Sequence, residues 1–249
     1  MTTPTFLIID PRWHGLGYVD AAFTKGYQLI PIVSSPDHPK KYGYDGKFTD
    51  LIIADIEDVN AVIAAIETSR WHKKIDAALP GNCYFTPLAA QIAEHLGLKG
   101  EPYAAALRSR LKDLGREAYD RAGVPNVRYA KIHDLNEALA AAKNIGFPLV
   151  LKPTDGGGSE QVTLIHDDAE LKTAMTALLA HEKTSFNFKT RQVFIIEEYI
   201  TGQEFSVELF IQNKEIKFAS VTEKLSTPLP YFVEVGHIVP TSVHMDQTQ

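Results

Sequence analysis

The stretch PLVLKPTDGGGSEQVTLI, residues 148–165, decides the fold of this chain. It places three consecutive glycines, Gly156 to Gly158, between two apolar segments that predict β-strands. Glycine has no Cβ, so the backbone can approach a ligand closely and adopt positive φ. A row of exposed N–H groups in such a turn suits phosphate oxygens, and Lys152 at the end of the first segment adds a positive charge. The pattern predicts a phosphate-binding loop.

The segment after the glycines separates this loop from the two commonest glycine-rich nucleotide loops. Gln161 to Ile165 predicts a strand, whereas a helix follows the glycines in Walker and Rossmann loops. We therefore expect a flap at the tip of a hairpin. Gly15 and Gly17 offer a second glycine turn, close to Asp10 and His14, but the G-x-G-x-x-G fingerprint is absent. A dinucleotide-dependent oxidoreductase is therefore disfavoured.

Composition restricts the class of protein. The chain has 249 residues, 45% of them hydrophobic, which suffices for one large domain or two modest ones. A net charge of −6 without a basic cluster argues against a nucleic-acid partner. The N-terminus shows no signal peptide, and no apolar run approaches the ~20 residues of a membrane span. The single cysteine, Cys83, excludes an intrachain disulfide framework and is expected to be a small buried residue of a cytoplasmic protein.

Strands alternate with helices in the first hundred residues. The predicted strands are Thr5 to Ile9, Tyr27 to Val33, Leu51 to Ala54 and Ile75 to Leu79. The predicted helices are Tyr18 to Lys25, Val59 to Ser69 and Pro87 to Leu96. This alternation is typical of a parallel sheet covered on both faces, so we expect a small doubly wound α/β domain in residues 1–102.

For residues 103–249 the sequence predicts a second domain that mixes helices and strands. A helix from about Tyr103 to Ala122 opens it, and further helices are predicted from Asn136 to Lys143, with Asp134 as N-cap, and from Ala169 to His181. The predicted strands are Val127 to Ile132, Pro148 to Leu151, Gln161 to Ile165, Phe194 to Glu198, Phe205 to Ile211 and Glu215 to Val221. The last two are joined by the turn signal Gln212-Asn213-Lys214 and predict a hairpin.

Four features follow one another along this second part. They are a basic helix with Lys112 and Arg116 on one face, Lys152 before the glycines, the apolar strand Val193 to Ile200, and Gly202-Gln203-Glu204. A purine needs an apolar slot with an edge of backbone donors and acceptors, a ribose needs a hydrogen-bond acceptor, and phosphates need lysines and N–H groups. Each feature alone is weak evidence for a nucleotide site, and the helix alone would be interpreted as a solvated face. The order of the four features along the chain is specific evidence for such a site.

This order resembles the ATP-grasp superfamily over nearly the whole chain. The resemblance rests on the basic helix ending in Gly123-Val124-Pro125, the strand Leu149 to Pro153, the glycines with Ser159, and the hinge that runs from Glu197 to Glu204. It implies an α/β fold with a Rossmann-like pre-ATP-grasp domain followed by a partial ATP-grasp domain of the α+β type. The ATP-binding first subdomain would occupy residues 125–200 or so.

The resemblance implies a role for each matching residue. Lys112 and Lys152 would contact the ATP phosphates, and Lys152 would also lie near the adenine. The residues that would close over the β- and γ-phosphates are Gly156, Gly157, Gly158 and Ser159. The residues that would hold the adenine edge, mostly through backbone atoms, are Glu197, Glu198, Tyr199 and Ile200. Glu204 would hold the ribose, while Arg116 matches a recurrent basic position without an assigned ligand.

Within the superfamily, the segment from Pro230 to Pro240 resembles the branch of the L-amino acid ligases and carbamoyl-phosphate-synthase-like enzymes. There the segment borders the acyl-phosphate and amine site, so His237 is a candidate substrate-site residue. A turn histidine satisfied by the backbone is the equal alternative. Glu234 could orient His237, but a surface carboxylate is favoured, and Lys224 is expected to be solvated.

The activity implied by the resemblance is ATP-dependent carboxylate–amine ligation through an acyl phosphate. The substrates would be a small carboxylate such as an amino acid and an amine, and Mg²⁺ would serve alongside ATP in the complete enzyme. Carbamoyl-phosphate-synthase- or biotin-carboxylase-like chemistry and a non-catalytic nucleotide-binding module stay open. A homodimer through the N-terminal domain is expected by analogy.

The metal ligands implied by the resemblance have no counterpart in the sequence. Family members hold Mg²⁺ with two carboxylates and usually an asparagine on late strands, downstream of the aromatic Gly-His segment. Gln249 is reached before such a pattern, and Glu208, Glu223 and Glu234 come too early. We therefore expect a fragment that keeps the adenine and phosphate pocket, lacks the dedicated metal site and is inactive as it stands.

Overall fold

The computed structural model describes residues 3–227, 229 and 232–241. The chain divides into two compact units between Ala118 and Tyr119, inside a helix. Its elements are mixed α/β, with one parallel and two antiparallel sheets, which confirms the predicted fold class. The domain boundary after residue 102 stays a prediction.

A parallel sheet forms the centre of the first unit. Its strands are β1 (Thr5–Ile9), β2 (Gln28–Val33), β3 (Ile52–Ile53) and β4 (Ala77–Pro80). They lie in the order β3-β2-β1-β4, and each neighbouring pair is parallel. β1 and β2 are nearly continuous apolar runs with most side chains buried, which is the pattern of a strand covered on both faces.

Helices connect these strands and follow the last of them. They are α1 (Leu16–Thr24), α2 (His38–Tyr42), α3 (Val59–Thr68), α4 (Thr86–His95) and α5 (Tyr103–Arg110). Asp58 begins α3, since its carboxylate accepts a hydrogen bond from the N–H of Asn60. The short helix α2 was not predicted, because five residues give no readable helical period.

The single helix predicted from Tyr103 to Ala122 is wrong at one position. Leu111 adopts an extended conformation, with φ −100° and ψ 117°, and separates α5 from α6 (Lys112–Ala122). The Leu111 side chain is buried, and no glycine or proline at that point signals the break. Lys112 and Arg116 nevertheless lie one turn apart in the same helix, as predicted.

The second unit contains a four-stranded antiparallel sheet. Its strands are β5 (Tyr129–Ile132), β6 (Leu149–Pro153), β7 (Thr163–Ile165) and β8 (Phe194–Glu198), in the order β5-β8-β6-β7. Two helices belong to it, α7 (Leu135–Ile145) and α8 (Asp168–Leu179). The predicted cap Asp134 accepts from the N–H of Glu137, and Asp167 accepts from two N–H groups at the start of α8. The predicted N-cap Asp134 is therefore confirmed, and α8 begins at Asp168, one residue before its predicted start.

The two faces of this sheet differ because side chains alternate along each strand. Leu149, Leu151 and Ile196 belong to the apolar core that the sheet shares with α7 and α8. Lys152 and Glu197 fall on the opposite face, since Glu197 pairs with Val150 in the register of β6 and β8. That second face carries the charged residues that the sequence singled out.

A three-stranded antiparallel sheet follows, in the order β11-β10-β9. Its strands are β9 (Phe205–Gln212), β10 (Glu215–Ser226) and β11 (Glu234–Ile238). Asn213 and Lys214 adopt positive φ between β9 and β10, which confirms the predicted hairpin. The strand β10 runs five residues beyond its predicted end, and β11 was predicted only as a turn-rich segment.

Two remaining expectations concern exposure. Cys83 is exposed, so the prediction of a buried cysteine is wrong; it lies in a 3-10 turn at the surface of the first unit. None of the helices in the described ranges has the length and apolar character that a bilayer crossing requires.

Candidate nucleotide-binding site

The glycine loop, Gly156 to Ser159, connects β6 to β7 as the sequence predicts. Gly158 and Ser159 both adopt left-handed backbone conformations, with φ +60° and +59°. The N–H groups of Gly157, Gly158 and Ser159 make no hydrogen bond within the described residues. Successive amides left unpaired in a turn form an anion-binding concavity, so the loop can take phosphate oxygens.

Lys152 and Glu197 form an ion pair beside this loop. The Nζ of Lys152 donates to the Oε2 of Glu197 at 2.6 Å, with side chains 18% and 6% exposed. The two residues lie diagonally across β6 and β8 on the same face, within reach of each other. The lysine predicted to meet phosphate is thus already paired, and the carboxylate of Glu197 is buried under it.

The backbone of the hinge, residues 197–204, is only partly available to a ligand. The N–H of Glu198 donates to the carbonyl of Arg128 at 2.9 Å, and that of Tyr199 donates to the carbonyl of Pro148 at 3.2 Å. Ile200 is 67% exposed, and its N–H makes no hydrogen bond in the part of the chain that the structure describes. The N–H of Ile200 is therefore available to a ligand, and its role at an adenine edge stays a prediction.

The side chain of Glu198 is engaged away from the glycine loop. Its carboxylate accepts from the backbone N–H of Arg128 and from the guanidinium Nε of the same residue, both at 2.8 Å. The backbone hydrogen bond, followed by that of the guanidinium, holds the pKa of Glu198 below its ordinary value. Glu198 therefore ties β8 to the start of β5.

Phe232 links the glycine loop to the hinge. The hydroxyl of Ser159 donates to the carbonyl of Phe232. The Phe232 ring meets the ring of Tyr199 edge-on, with 6.3 Å between centroids. Ser159 of the glycine loop and Tyr199 of the hinge thus contact the same residue.

Glu204 belongs to a charged cluster on the second sheet of this unit, which we call the acid–base cluster. Its members are Glu204, Lys224, Glu234 and His237. The ammonium of Lys224 bridges Glu204 and Glu234, and the Nε2 of His237 lies 3.1 Å from an oxygen of Glu234. Lys224 and His237 are direct partners in the register of β10 and β11.

Two members of the acid–base cluster have shifted pKa values. Burial lowers the pKa of Lys224, but its hydrogen bonds to Glu204 and Glu234 outweigh burial and raise the pKa above the ordinary value. The hydrogen bond from Lys224 lowers the pKa of Glu234. The expectation of a solvated Lys224 is therefore wrong, because its side chain is only 16% exposed and is paired with two carboxylates. Glu234 is exposed, as expected of a surface carboxylate, and it also contacts Lys224 and His237.

Lys112, the other predicted phosphate ligand, is the first residue of α6 and belongs to the first unit. Its phosphate contact stays a prediction, as does the role of Arg116. Pro230 and Tyr231, part of the segment that carries the resemblance to the amino acid ligases, lie outside the described residues.

The glycine turn after β1 serves packing. A Cβ on Gly15 would lie 2.4 Å from the carbonyl oxygen of Gly81. Asp10 beside it is buried, with its carboxylate 2.8 Å from the Nε2 of His38 and 3.1 Å from the Nδ2 of Asn82. Close approach of two loops therefore accounts for Gly15 without a bound dinucleotide.

Comparison with known proteins agrees with this geometry. Residues 145–249 match the ATP-grasp domain family. The chain carries an ATP-grasp domain. The chain is 30% identical over 188 residues to alanine–anticapsin ligase of Bacillus subtilis, covering 69% of this chain and 39% of that protein. The resemblance to the ATP-grasp superfamily and its amino acid ligases is thereby confirmed.

Two further comparisons bear on the ATP-grasp fold. The structure of an L-amino acid ligase from Bacillus licheniformis superposes with a TM-score of 0.76 at 21% identity, covering 98% of this chain and 56% of that one. Biotin carboxylase 1 of Bacillus subtilis (strain 168) is 29% identical over 131 residues, or 50% of this chain and 28% of that protein. The chain thus spans about half or less of the length of the proteins it matches.

Several contacts around the glycine loop were not predicted from the sequence. Arg191 donates from its backbone to Asp155 at 2.7 Å and from its guanidinium to Thr154 at 3.1 Å, at the base of the glycine loop. His181 contacts Glu160 at 3.1 Å on the other side of the loop. His181 was predicted as the end of a helix, whereas α8 ends at Leu179, and residues 182–192 gave no strand or helix pattern, so nothing local indicated these contacts.

Proposed function

We propose that this chain supplies the nucleotide-binding region of an ATP-dependent carboxylate–amine ligase. The observation that carries the proposal is the row of amides at Gly157, Gly158 and Ser159, which make no hydrogen bond within the described residues and stand in the loop that follows the strand of Lys152. Amide groups fixed by a turn bind phosphate oxygens without reorganising. Donor chemistry and geometry both fit a polyphosphate.

The base and the sugar would be recognised at the hinge. The N–H of Ile200 would donate to the purine edge, since the preceding two N–H groups are used within the sheet. Glu204 would accept from a ribose hydroxyl after exchanging part of its pairing with Lys224. This arrangement supports nucleotide recognition mostly through backbone atoms.

The reaction would proceed by phosphorylation of a carboxylate to an acyl phosphate, which an amine then attacks to give an amide, ADP and phosphate. The glycine loop, held to Phe232 through Ser159, would exclude water from that mixed anhydride. His237, whose Nε2 is oriented by Glu234, would sit at the substrate side and accept a proton from the attacking amine. The relatives' ligase names support an amino acid as the carboxylate.

Magnesium would neutralise phosphate charge during phosphoryl transfer. Within residues 3–227, 229 and 232–241, no group of three or more His, Cys, Asp or Glu side chains is arranged to hold a metal ion. The residues present do not fit a dedicated metal site, so no step here is assigned to the ion. That the chain is a fragment without catalytic activity stays a proposal.

Calorimetric titration with ATP tests the nucleotide site. We expect Lys152→Met to weaken ATP binding by about tenfold, since a charge-assisted contact to phosphate is worth about 1.5 kcal/mol. Lys143→Met is the matched control, because Lys143 is an exposed lysine near the end of α7. A folded chain that binds no ATP, alone or with the downstream part of its relatives joined to it, would refute the ligase proposal.

Product analysis separates ligation from the other ATP-grasp chemistries. Joined to the downstream part of a relative, the chain should release phosphate when given amino acids and yield an amide product. Bicarbonate-dependent release of phosphate without an amide would favour carboxylation or carbamoyl phosphate formation instead.

A further inference from the structure

The residue after the glycine loop is a carboxylate, Glu160. Its backbone N–H donates to the carbonyl of Gly157 at 3.2 Å, so it forms part of the same turn. A carboxylate is itself an anion that unpaired amides can bind, and it repels phosphate at close range. A nucleotide site with this sequence therefore needs a contact that holds the Glu160 carboxylate away from the loop amides.

His181 supplies the contact that draws Glu160 away. The Nε2 of His181 lies 3.1 Å from the Oε1 of Glu160, and the two side chains are 26% and 17% exposed. The other oxygen, Oε2, is buried and makes no hydrogen bond in the described part of the chain. The carboxylate is thus withdrawn from solvent with His181 as its partner at Oε1.

The position of His181 is fixed by its own backbone. Its carbonyl accepts from the hydroxyl of Thr190 at 3.1 Å and from the amide of Gln192 at 3.0 Å. Arg191, between those two residues, is bonded to Thr154 and Asp155 at the base of the glycine loop. The imidazole is therefore held by a segment that is anchored to the strand end from which the loop departs.

We propose that His181 is a positioning residue that holds the Glu160 carboxylate away from the amides of Gly157, Gly158 and Ser159. The inference rests on the proposed function, in which those amides receive phosphate. Without His181, the Glu160 carboxylate competes with phosphate for the loop amides and repels it. With His181, the loop presents its amides without a competing charge.

A double-mutant cycle tests this with ATP and with inorganic triphosphate as titrants. We expect His181→Ala to weaken the binding of both by about tenfold, the effect of one like charge near a phosphate site. Glu160→Gln should bind at least as tightly as the unaltered chain, and the double variant should recover to within about threefold. His166→Ala is the control, because His166 makes the same kind of contact to Glu170, at 3.0 Å, outside the loop.

Recovery of affinity when Glu160→Gln is added to His181→Ala distinguishes a positioning role from a contact that itself holds the loop in shape. Loss of affinity in Glu160→Gln alone, or failure of the double variant to recover, overturns the inference, because either result means that the contact itself holds the loop. Hydrogen exchange at amides 157–159 without nucleotide gives a second readout: we expect protection to rise in His181→Ala, because the released Glu160 carboxylate then accepts from these amides. Unchanged exchange together with unchanged affinity also overturns it.

The outcomes separate this inference from the proposed function. An unaltered chain that binds neither ATP nor triphosphate refutes the proposed function and this inference with it. Binding by the unaltered chain with equal affinities in all variants refutes this inference alone. Should His181→Ala unfold, His181→Leu keeps the apolar volume without a donor and takes its place in the cycle.

Discussion

Replacing Lys152 with methionine is expected to destabilise the second unit by about 3 kcal/mol. The change removes the Lys152 ammonium from the Glu197 carboxylate, which is only 6% exposed, and breaking a buried pair in this way costs about 3–5 kcal/mol. The value falls at the lower end because the Lys152 side chain retains 18% exposure. The converse change, Glu197→Gln, should cost about 1 kcal/mol, since the amide oxygen still accepts from the ammonium.

The double variant measures the coupling between the two charges. Removing both should cost about 2 kcal/mol, less than the sum of the single changes, because no unpaired charge is left buried. Urea denaturation followed by circular dichroism near pH 7 gives each free energy of unfolding. The exposed-site control Lys143→Met should stay within about 0.5 kcal/mol. A cost for Lys152→Met no larger than that for Glu197→Gln, or additive costs, would refute the reasoning.

Three further changes address the hinge, the first unit and the second sheet. Ile200→Pro removes the exposed hinge N–H and should weaken ATP binding about tenfold by calorimetry, whereas Ile200→Ala should not; equal affinities would contradict the adenine-edge role. The hydrogen bond from Trp71 is the main cause that holds the pKa of Asp50 below its usual value. The stabilisation from the Asp50 carboxylate is therefore complete above the unfolded-state pKa of about 3.9 and is lost as pH falls through the lower folded-state pKa. The urea midpoint should fall less on acidification in Asp50→Asn than in the unaltered chain, and an equal fall in both would count against this. Val207→Thr and Ile211→Thr should each change the free energy of unfolding by less than about 0.5 kcal/mol, because both side chains are 57% exposed; urea unfolding that shows a loss above about 2 kcal/mol would mean that this face is covered.

The sequence predicts those parts of the fold whose signals are local. The strand Phe194–Glu198 is found with the predicted bounds, because a short apolar run between polar segments marks both of its ends. Asp134 and Asp167 begin α7 and α8 through side-chain contacts made two or three residues along the chain. The glycine loop between two strands was likewise readable, since glycine itself is the signal.

Contacts between distant segments could not be predicted in this way. The Lys152–Glu197 pair joins residues 45 positions apart, and its existence depends on the register of β6 against β8, for which the sequence holds no code. Lys224 was expected to be solvated because its partners arrive from a hinge and from a strand, β11, that the turn-rich sequence concealed. The break at Leu111 was not predicted, because leucine is a good helix former and no glycine or proline stands at that point.

The charges at the proposed site are balanced before a ligand arrives. Lys152 is paired with Glu197, and Glu204 shares Lys224 with Glu234. A nucleotide would therefore exchange one partner for another at these side chains, so each contact yields less net free energy than an unpaired charge would, and the Lys152 contact is worth no more than about tenfold in affinity. The amides of Gly157, Gly158, Ser159 and Ile200 have no such partner within the described residues. The larger net gain on binding must then come from the backbone, which gives the amides of residues 157–159 their importance and makes withdrawal of the neighbouring Glu160 carboxylate a requirement of the site.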